Sequence, residues 1–253
     1  MSIEEYSNWN QRESDADAEQ EPYRKYVFIC EGENTEVWYF RRLIDLRKTL
    51  GLHPLIDLRL WEKTDEDASL SAHNRLVRFA NEQKLLPDLG FDPSFDKLVI
   101  VFDADVFERE QPEKYRELLE AREQDNIFAV TNPSFELFLL LHLEDAYDNI
   151  ILPNQQKLLE NSKIGNRRFA ELLLSSNAGI NGKKNKKGVA ELAEHVDTAI
   201  IQETQLNQDI CLCMGRLTSN IAKIIDDIRH DAPQKKSKAN NNNDLQSTII
   251  DQI

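Results

Sequence analysis

The run Lys97-Leu-Val-Ile-Val-Phe-Asp-Ala-Asp105 constrains the fold more than any other stretch of the chain. Lys97 through Phe102 is a short, β-rich apolar segment that reads as a buried strand, and Asp103 and Asp105 mark where it leaves the apolar layer. Alternation along the strand points both carboxylates the same way. In an open parallel sheet, ligands gather beyond the carboxyl ends of the strands, so this pair stands where oxygen donors can hold a hard divalent cation. The bland reading of the same residues is one Asp capping a turn and the other solvated at the surface.

A second run, Lys25-Tyr-Val-Phe-Ile-Cys30, has the same form and ends in Glu31-Gly-Glu-Asn-Thr-Glu36 before a helical period begins. Gly32 permits a sharp exit from the strand, and Asn34 or Thr35 can cap a helix whose apolar face includes Val37, Tyr39, Phe40, Leu43 and Ile44. If the two strands are neighbours, Glu31, Asp103 and Asp105 supply three oxygen ligands without histidine or cysteine.

Further strands are expected at Leu55 to Trp61 and Ile127 to Thr131, with helices at about 35–50, 68–86 and 113–125 between the four. That alternation predicts an α/β domain over residues 24–143, with a mainly parallel four-stranded sheet flanked by helices on both faces. Residues 1–23 hold seven acids and one base, Arg12, and read as an acidic flexible arm from which Tyr6 and Trp9 rest on a neighbouring surface. Residues 144–231 read as a mostly helical region. Residues 232–253 read as a polar linker, with four consecutive asparagines, and a short terminal segment.

Two further features carry chemistry. Thr131-Asn-Pro-Ser134 is a tight junction, and the apolar helix after it, Phe135 to Leu143, contains a lone Glu136. Burying that charge is expensive unless it meets a cation or donors; the bland reading is a solvent-facing glutamate. His142 lies six residues on, off the Glu136 face, and reads as structural. Residues 163–187 hold seven bases, Lys163, Arg167, Arg168, Lys183, Lys184, Lys186 and Lys187, against one acid, Glu171. In a chain of net charge −14 this local reversal reads either as a phosphate-contacting edge or as a solvated lysine loop.

The acidic balance argues against a broad nonspecific DNA-binding surface, though a basic groove and a bound cation can still hold a polyanion. No apolar run approaches the roughly 20 residues of a membrane span, and the chain does not open on a basic region followed by an apolar one. A cytoplasmic protein without membrane contact is expected. The three cysteines, Cys30, Cys211 and Cys213, form no zinc quartet and are expected as reduced core residues.

Read together, Ile29-Cys-Glu-Gly-Glu-Asn-Thr-Glu-Val-Trp-Tyr-Phe40, Val101-Phe-Asp-Ala-Asp105 and Thr131-Asn-Pro-Ser-Phe-Glu-Leu-Phe-Leu-Leu-Leu-His142 resemble the RloB family of bacterial proteins over most of residues 24–230. The Glu-Gly and Asp-x-Asp tips also resemble the Toprim domain of topoisomerases, primases and several nucleases. The resemblance implies a Toprim-like metal nuclease of antiphage defence. Asp103 and Asp105 would bind Mg2+ or Mn2+, and Glu31 would complete the set or take a proton from the attacking water. Glu136 would lie near the metal, and Ser219 and Asn220 would have site value. Topoisomerase and primase chemistry are disfavoured for want of a DNA-cradling tyrosine domain and a zinc module. RNA and DNA stay equally open as substrate, and a homodimer or a defence-system partner is compatible with the chain. The alternative is a noncatalytic nucleic-acid-binding or effector subunit.

Overall fold

The four apolar runs each become a strand, and together they make the parallel centre of one mixed sheet. The computed structural model describes residues 3–9, 22–63, 73–110 and 112–231. The strands are β1 (Ile3–Ser7), β2 (Arg24–Cys30), β3 (Ile56–Lys63), β4 (Lys97–Asp103) and β5 (Asn126–Asn132), then a separate hairpin of β6 (Lys163–Ile164) and β7 (Arg167–Arg168), and last β8 (Thr218–Ser219). The six-stranded sheet has the order β1-β3-β2-β4-β5-β8. Neighbours among β3, β2, β4 and β5 pair in parallel, whereas β1 and β8 run antiparallel at the edges.

The sheet is therefore six-stranded and mixed rather than the mainly parallel four-stranded one expected. Both extra strands escape a periodicity reading for physical reasons. β8 is too short to show alternation. β1 is Ile-Glu-Glu-Tyr-Ser, whose acids read as a solvated arm, yet it pairs along β3 through side-chain anchors. Glu5 accepts from Arg59 at 2.7 Å and from the Trp61 indole at 3.0 Å, and the Tyr6 hydroxyl donates to Asp45 at 2.7 Å. Trp9 is buried under the Arg47 guanidinium, 5.0 Å from its ring centre. Tyr6 and Trp9 thus rest on the body, and residues 3–9 are part of the fold. Residues 10–21 of that segment, the linker and terminal segment at 232–253, and the loop and helix start at 64–72 lie outside the described residues.

Strict alternation along the central strands divides the core in two. Tyr26, Phe28, Cys30, Val99, Val101 and Ala129 face one way, and Val27, Ile29, Leu98, Ile100, Phe102, Phe128 and Val130 the other. The second face packs against α2 (His73–Gln83), α3 (Asp105–Glu110) and α4 (Pro112–Glu120), through residues such as Phe79, Phe107 and Leu118. The first face is covered by α1 (Thr35–Asp45) and α5 (Phe135–Leu140), the latter buried along its whole length. The same core continues into the helical C-terminal region, α6 (Gln155–Glu160), α7 (Phe169–Ala178), α8 (Lys186–Leu192), α9 (Val196–Glu203) and α10 (Ile221–His230). Among the described residues no helix is long and apolar enough to cross a membrane.

Several polar residues hold this arrangement from inside. The His142 ring is buried between the Tyr39 hydroxyl, 2.9 Å from Nε2, and the Phe138 carbonyl, 3.0 Å from Nδ1. Burial pushes its pKa down to about 3, so the ring is a neutral core group. Cys30 and Cys213 are buried as expected, whereas Cys211 is exposed. Glu203 accepts from Ser219 Oγ and from the backbone N–H groups of Ala222 and Lys223, an anion seated on the first turn of α10.

Asn220 extends the β5 edge beyond β8. Its Oδ1 accepts from the Val130 N–H at 2.7 Å and its Nδ2 donates to the Phe128 carbonyl at 2.9 Å, so one side-chain amide does the work of a strand rung. Ser219 and Asn220 thus have structural partners on the core and the sheet. Asn220→Ala strips both bonds from buried backbone groups, and urea unfolding is expected to show a loss of about 2–4 kcal/mol.

Candidate functional site

The carboxylates converge because β2 and β4 are parallel neighbours in a register that ends them side by side. Cys30 pairs with Val101, and the Glu31 N–H donates to the Val101 carbonyl at 2.9 Å. The Glu31 carboxylate in turn lies across the tip of β4, accepting from the Asp103 N–H at 3.3 Å. Asp103 is the last residue of β4, and it accepts from the hydroxyl of Thr131, its register partner on β5. Asp105 is not on the strand, as simple alternation suggests. The Ala104 N–H donates to the Thr131 carbonyl at 2.7 Å, the strand stops, and Asp105 opens α3. Both aspartates nevertheless line one cleft of about 460 Å³.

Two further acids enter that cleft from helix starts. Glu36, in the first turn of α1, folds its carboxylate back over Gly32; a Cβ at Gly32 would stand 2.1 Å from Glu36 Oε2. In this rotamer the carboxylate occupies the space that a side chain at Gly32 would take. Glu136 lies in the first turn of α5, is buried, and accepts from Ser134 Oγ at 2.7 Å. The solvent-facing reading of Glu136 is thereby set aside. Neither expected cap of α1 acts as one: Asn34 makes no side-chain capping bond, and Thr35 Oγ1 donates instead to the Gly182 carbonyl at 2.9 Å.

That last bond ties the basic segment to the acids. Gly182 packs over Thr35 and Glu136, where an added Cβ would stand 3.6–3.7 Å from their side chains. Lys183 follows, its ammonium 2.7 Å from Glu171. With Lys163 and Arg168 from the β6–β7 hairpin it lines the same cleft as Asp103, Asp105, Glu36 and Glu136. Arg167, Lys184, Lys186 and Lys187 are not among the lining residues. The last two open α8 behind the Asn185 cap, where they are exposed, and Lys187 pairs with Glu191 at 3.5 Å.

Burial, and after it the crowding of like charges, raises the carboxyl pKa values. Asp103 is pushed well above the usual carboxylate range, first by burial and then by Glu31, Glu36 and Glu136, with the Thr131 hydroxyl pulling the other way. Burial, then Glu136 and Glu31, raise Glu36 to about 7 against the pull of its own backbone N–H and of Lys63. Glu136 is raised chiefly by burial, which the Ser134 bond opposes. An all-oxygen donor set with mutual repulsion suits a hard divalent cation, which takes oxygen ligands and relieves that repulsion. Among the described residues, no three His, Cys, Asp or Glu side chains are already gathered at metal-ligand spacing.

Thr131, Ser134 and Thr35, which hold the acids and the basic loop, were not singled out from the sequence as site residues. Thr131 and Ser134 bracket the Thr-Asn-Pro-Ser junction, so the signal for them was present in the junction itself. Thr35 carries no such mark, because its partner is a backbone carbonyl 147 residues away.

Glu36 yields a prediction with a definite sign. A carboxyl whose pKa is higher in the folded chain binds more protons folded than unfolded, so its contribution to stability is full below the unfolded value and is lost as pH rises through the folded one. In chelator, the thermal midpoint of the wild type minus that of Glu36→Gln is expected to fall between about pH 4.5 and 7. A difference that stays flat across this window would mean that neither burial nor its acidic neighbours raise the Glu36 carboxyl.

No curated protein and no solved structure matches the chain. The family model described as RloB-like protein matches residues 26–228, a span that runs from β2 to α10 and takes in both the acids and the basic wall. The chain belongs to the RloB-like protein family.

Proposed function

We propose that the protein is a divalent-cation-dependent nuclease that cleaves nucleic-acid phosphodiesters in antiphage defence. One observation carries the reading: a single cleft is lined both by carboxylates with raised pKa values, Asp103, Glu36 and Glu136, and by Lys163, Arg168 and Lys183. Family membership supports the defence role and a Toprim-like use of the acidic tips.

Asp103, Asp105 and Glu31 are the residues that would hold Mg2+ or Mn2+. When bound, such a cation supplies Lewis-acid stabilisation of charge developing on phosphate and lowers the pKa of water. Thr131 orients Asp103 through its hydroxyl, and the Asp103 N–H keeps Glu31 at the strand tip. Glu36 lines the same cleft, and a bound cation would draw its carboxyl, raised to about 7 without one, back down. Glu136, fixed by Ser134, braces the acidic side. Lys163, Arg168 and Lys183 draw in the polyanion, and contacts of that kind set affinity and placement rather than base sequence. A second copy of the chain or a defence-system partner would act around this cleft.

The test is incubation of the purified protein with labelled tRNA, other RNA, single-stranded DNA and plasmid DNA in Mg2+, Mn2+ or EDTA. Cleavage is expected only with cation and is expected to fall by more than about 100-fold in Asp103→Asn and Glu31→Gln, since even residues behind the ligands of a metal site commonly matter 10- to 100-fold. Binding that persists in both variants, with no cleavage of any polymer by the wild type, would instead identify a noncatalytic binding subunit.

A further inference from the structure

We infer that Asn161 anchors a dedicated phosphate subsite beside the carboxylates, taking a nonbridging oxygen of the nucleic-acid chain; this rests on the nucleic-acid reading above. Asn161 is 1% exposed and lines the acidic cleft. It closes α6 in the left-handed conformation, at φ 40°, which asparagine and aspartate tolerate better than most residues. Its Oδ1 is committed, accepting from the Ala170 N–H in the first turn of α7 at 3.0 Å. That bond settles the orientation of the amide and leaves Nδ2 as its unengaged end, on a residue that lines the cleft. Among the described residues nothing accepts from Nδ2, although the atom is buried.

A buried amide donor without a partner is costly and uncommon, and where one persists at a cleft wall its natural complement is a ligand acceptor. The cation in contact with Asn161 favours an anionic acceptor, although carboxylates also line the cleft. Arg168 donates from Nη1 to the Asn161 carbonyl at 3.2 Å, which holds its guanidinium against the same residue. Lys163, Arg168 and Lys183 line the same cleft. A neutral donor set among three cations matches a phosphate oxygen better than a base edge. The α6–β6 junction and the β6–β7 hairpin then act as a phosphate grip that sets the strand against the acidic tip.

The experiment measures binding in EDTA, apart from any cleavage. Fluorescein-labelled single-stranded RNA and DNA oligonucleotides are titrated by anisotropy against the wild type, Asn161→Asp and Asn177→Asp. Asn161→Asp keeps the acceptor for Ala170 and the backbone conformation while replacing the donor; Asn177→Asp adds the same charge at an exposed position of α7. Asn161→Asp is expected to weaken binding at least about 10-fold at a temperature where circular dichroism shows it folded, Asn177→Asp to leave it within about 2-fold, and the difference to vanish on a methylphosphonate backbone. Oligonucleotides with and without a 5′-phosphate separate the sources: equal loss on both assigns the subsite to an internal diester, and loss only on the phosphorylated form to a terminal phosphate. Wild-type-like binding by folded Asn161→Asp, an effect that survives on methylphosphonate, or no binding by the wild type would overturn the subsite. Cleavage by the wild type alongside the first result would leave the nuclease reading standing without it.

Discussion

The parallel pairing of β2 with β4 is the contact on which the rest depends. Because Cys30 sits opposite Val101, the two strands run out together: Glu31 follows Cys30 directly, and Asp103 stands two residues beyond Val101 at the end of β4. A slip of one residue would turn Asp103 to the other face of the sheet and separate it from Glu31. The register is secured by the core: alternate residues of both strands are buried in two distinct apolar layers, so a slip would expose one set and bury the other. Packing far from the site thus determines the distances within it.

Gathering acids at one sheet edge is electrostatically unfavourable, and the fold contains the repulsion rather than removing it. Thr131 and Ser134 donate to Asp103 and Glu136, Lys63 donates to the Glu31 carbonyl, and Lys183 stands one residue beyond Gly182, whose carbonyl Thr35 holds. Even so, Asp103, Glu36 and Glu136 keep raised pKa values. Sites poised in this way are common where a protein binds or moves charge, because the unrelieved repulsion favours a ligand of opposite sign. The basic wall continues the same design, with the 163–168 hairpin and Lys183 reaching the cleft from the helical region that completes one face of the core.

Much of this was legible from residue pattern. The four central strands and the local basic reversal at 163–187 follow from apolar runs and charge placement, the adjacency of Glu31 and Asp103 followed only if their strands were neighbours, and the approach of Glu136 was implied by the family resemblance. What was not legible depends on tertiary partners. β1 is a strand because Arg59 and Trp61 hold Glu5, and nothing within Ile3–Ser7 announces that. Asp105 leaves the strand because Thr131 captures the Ala104 N–H. Which of seven basic residues would face the acids depended on where α8 begins, which placed Lys186 and Lys187 on its outer surface. Asn161 was silent altogether, since an orphaned donor is a property of the packed state alone.

The central claim is that the acids at the β2 and β4 tips hold a hard cation. Mn2+ binding followed by electron paramagnetic resonance tests it without reference to substrate or turnover. The account predicts bound Mn2+ in the wild type, its loss in folded Asp103→Asn, and its retention in Lys183→Gln. Equal Mn2+ binding by the wild type and Asp103→Asn, or none by either, would contradict it.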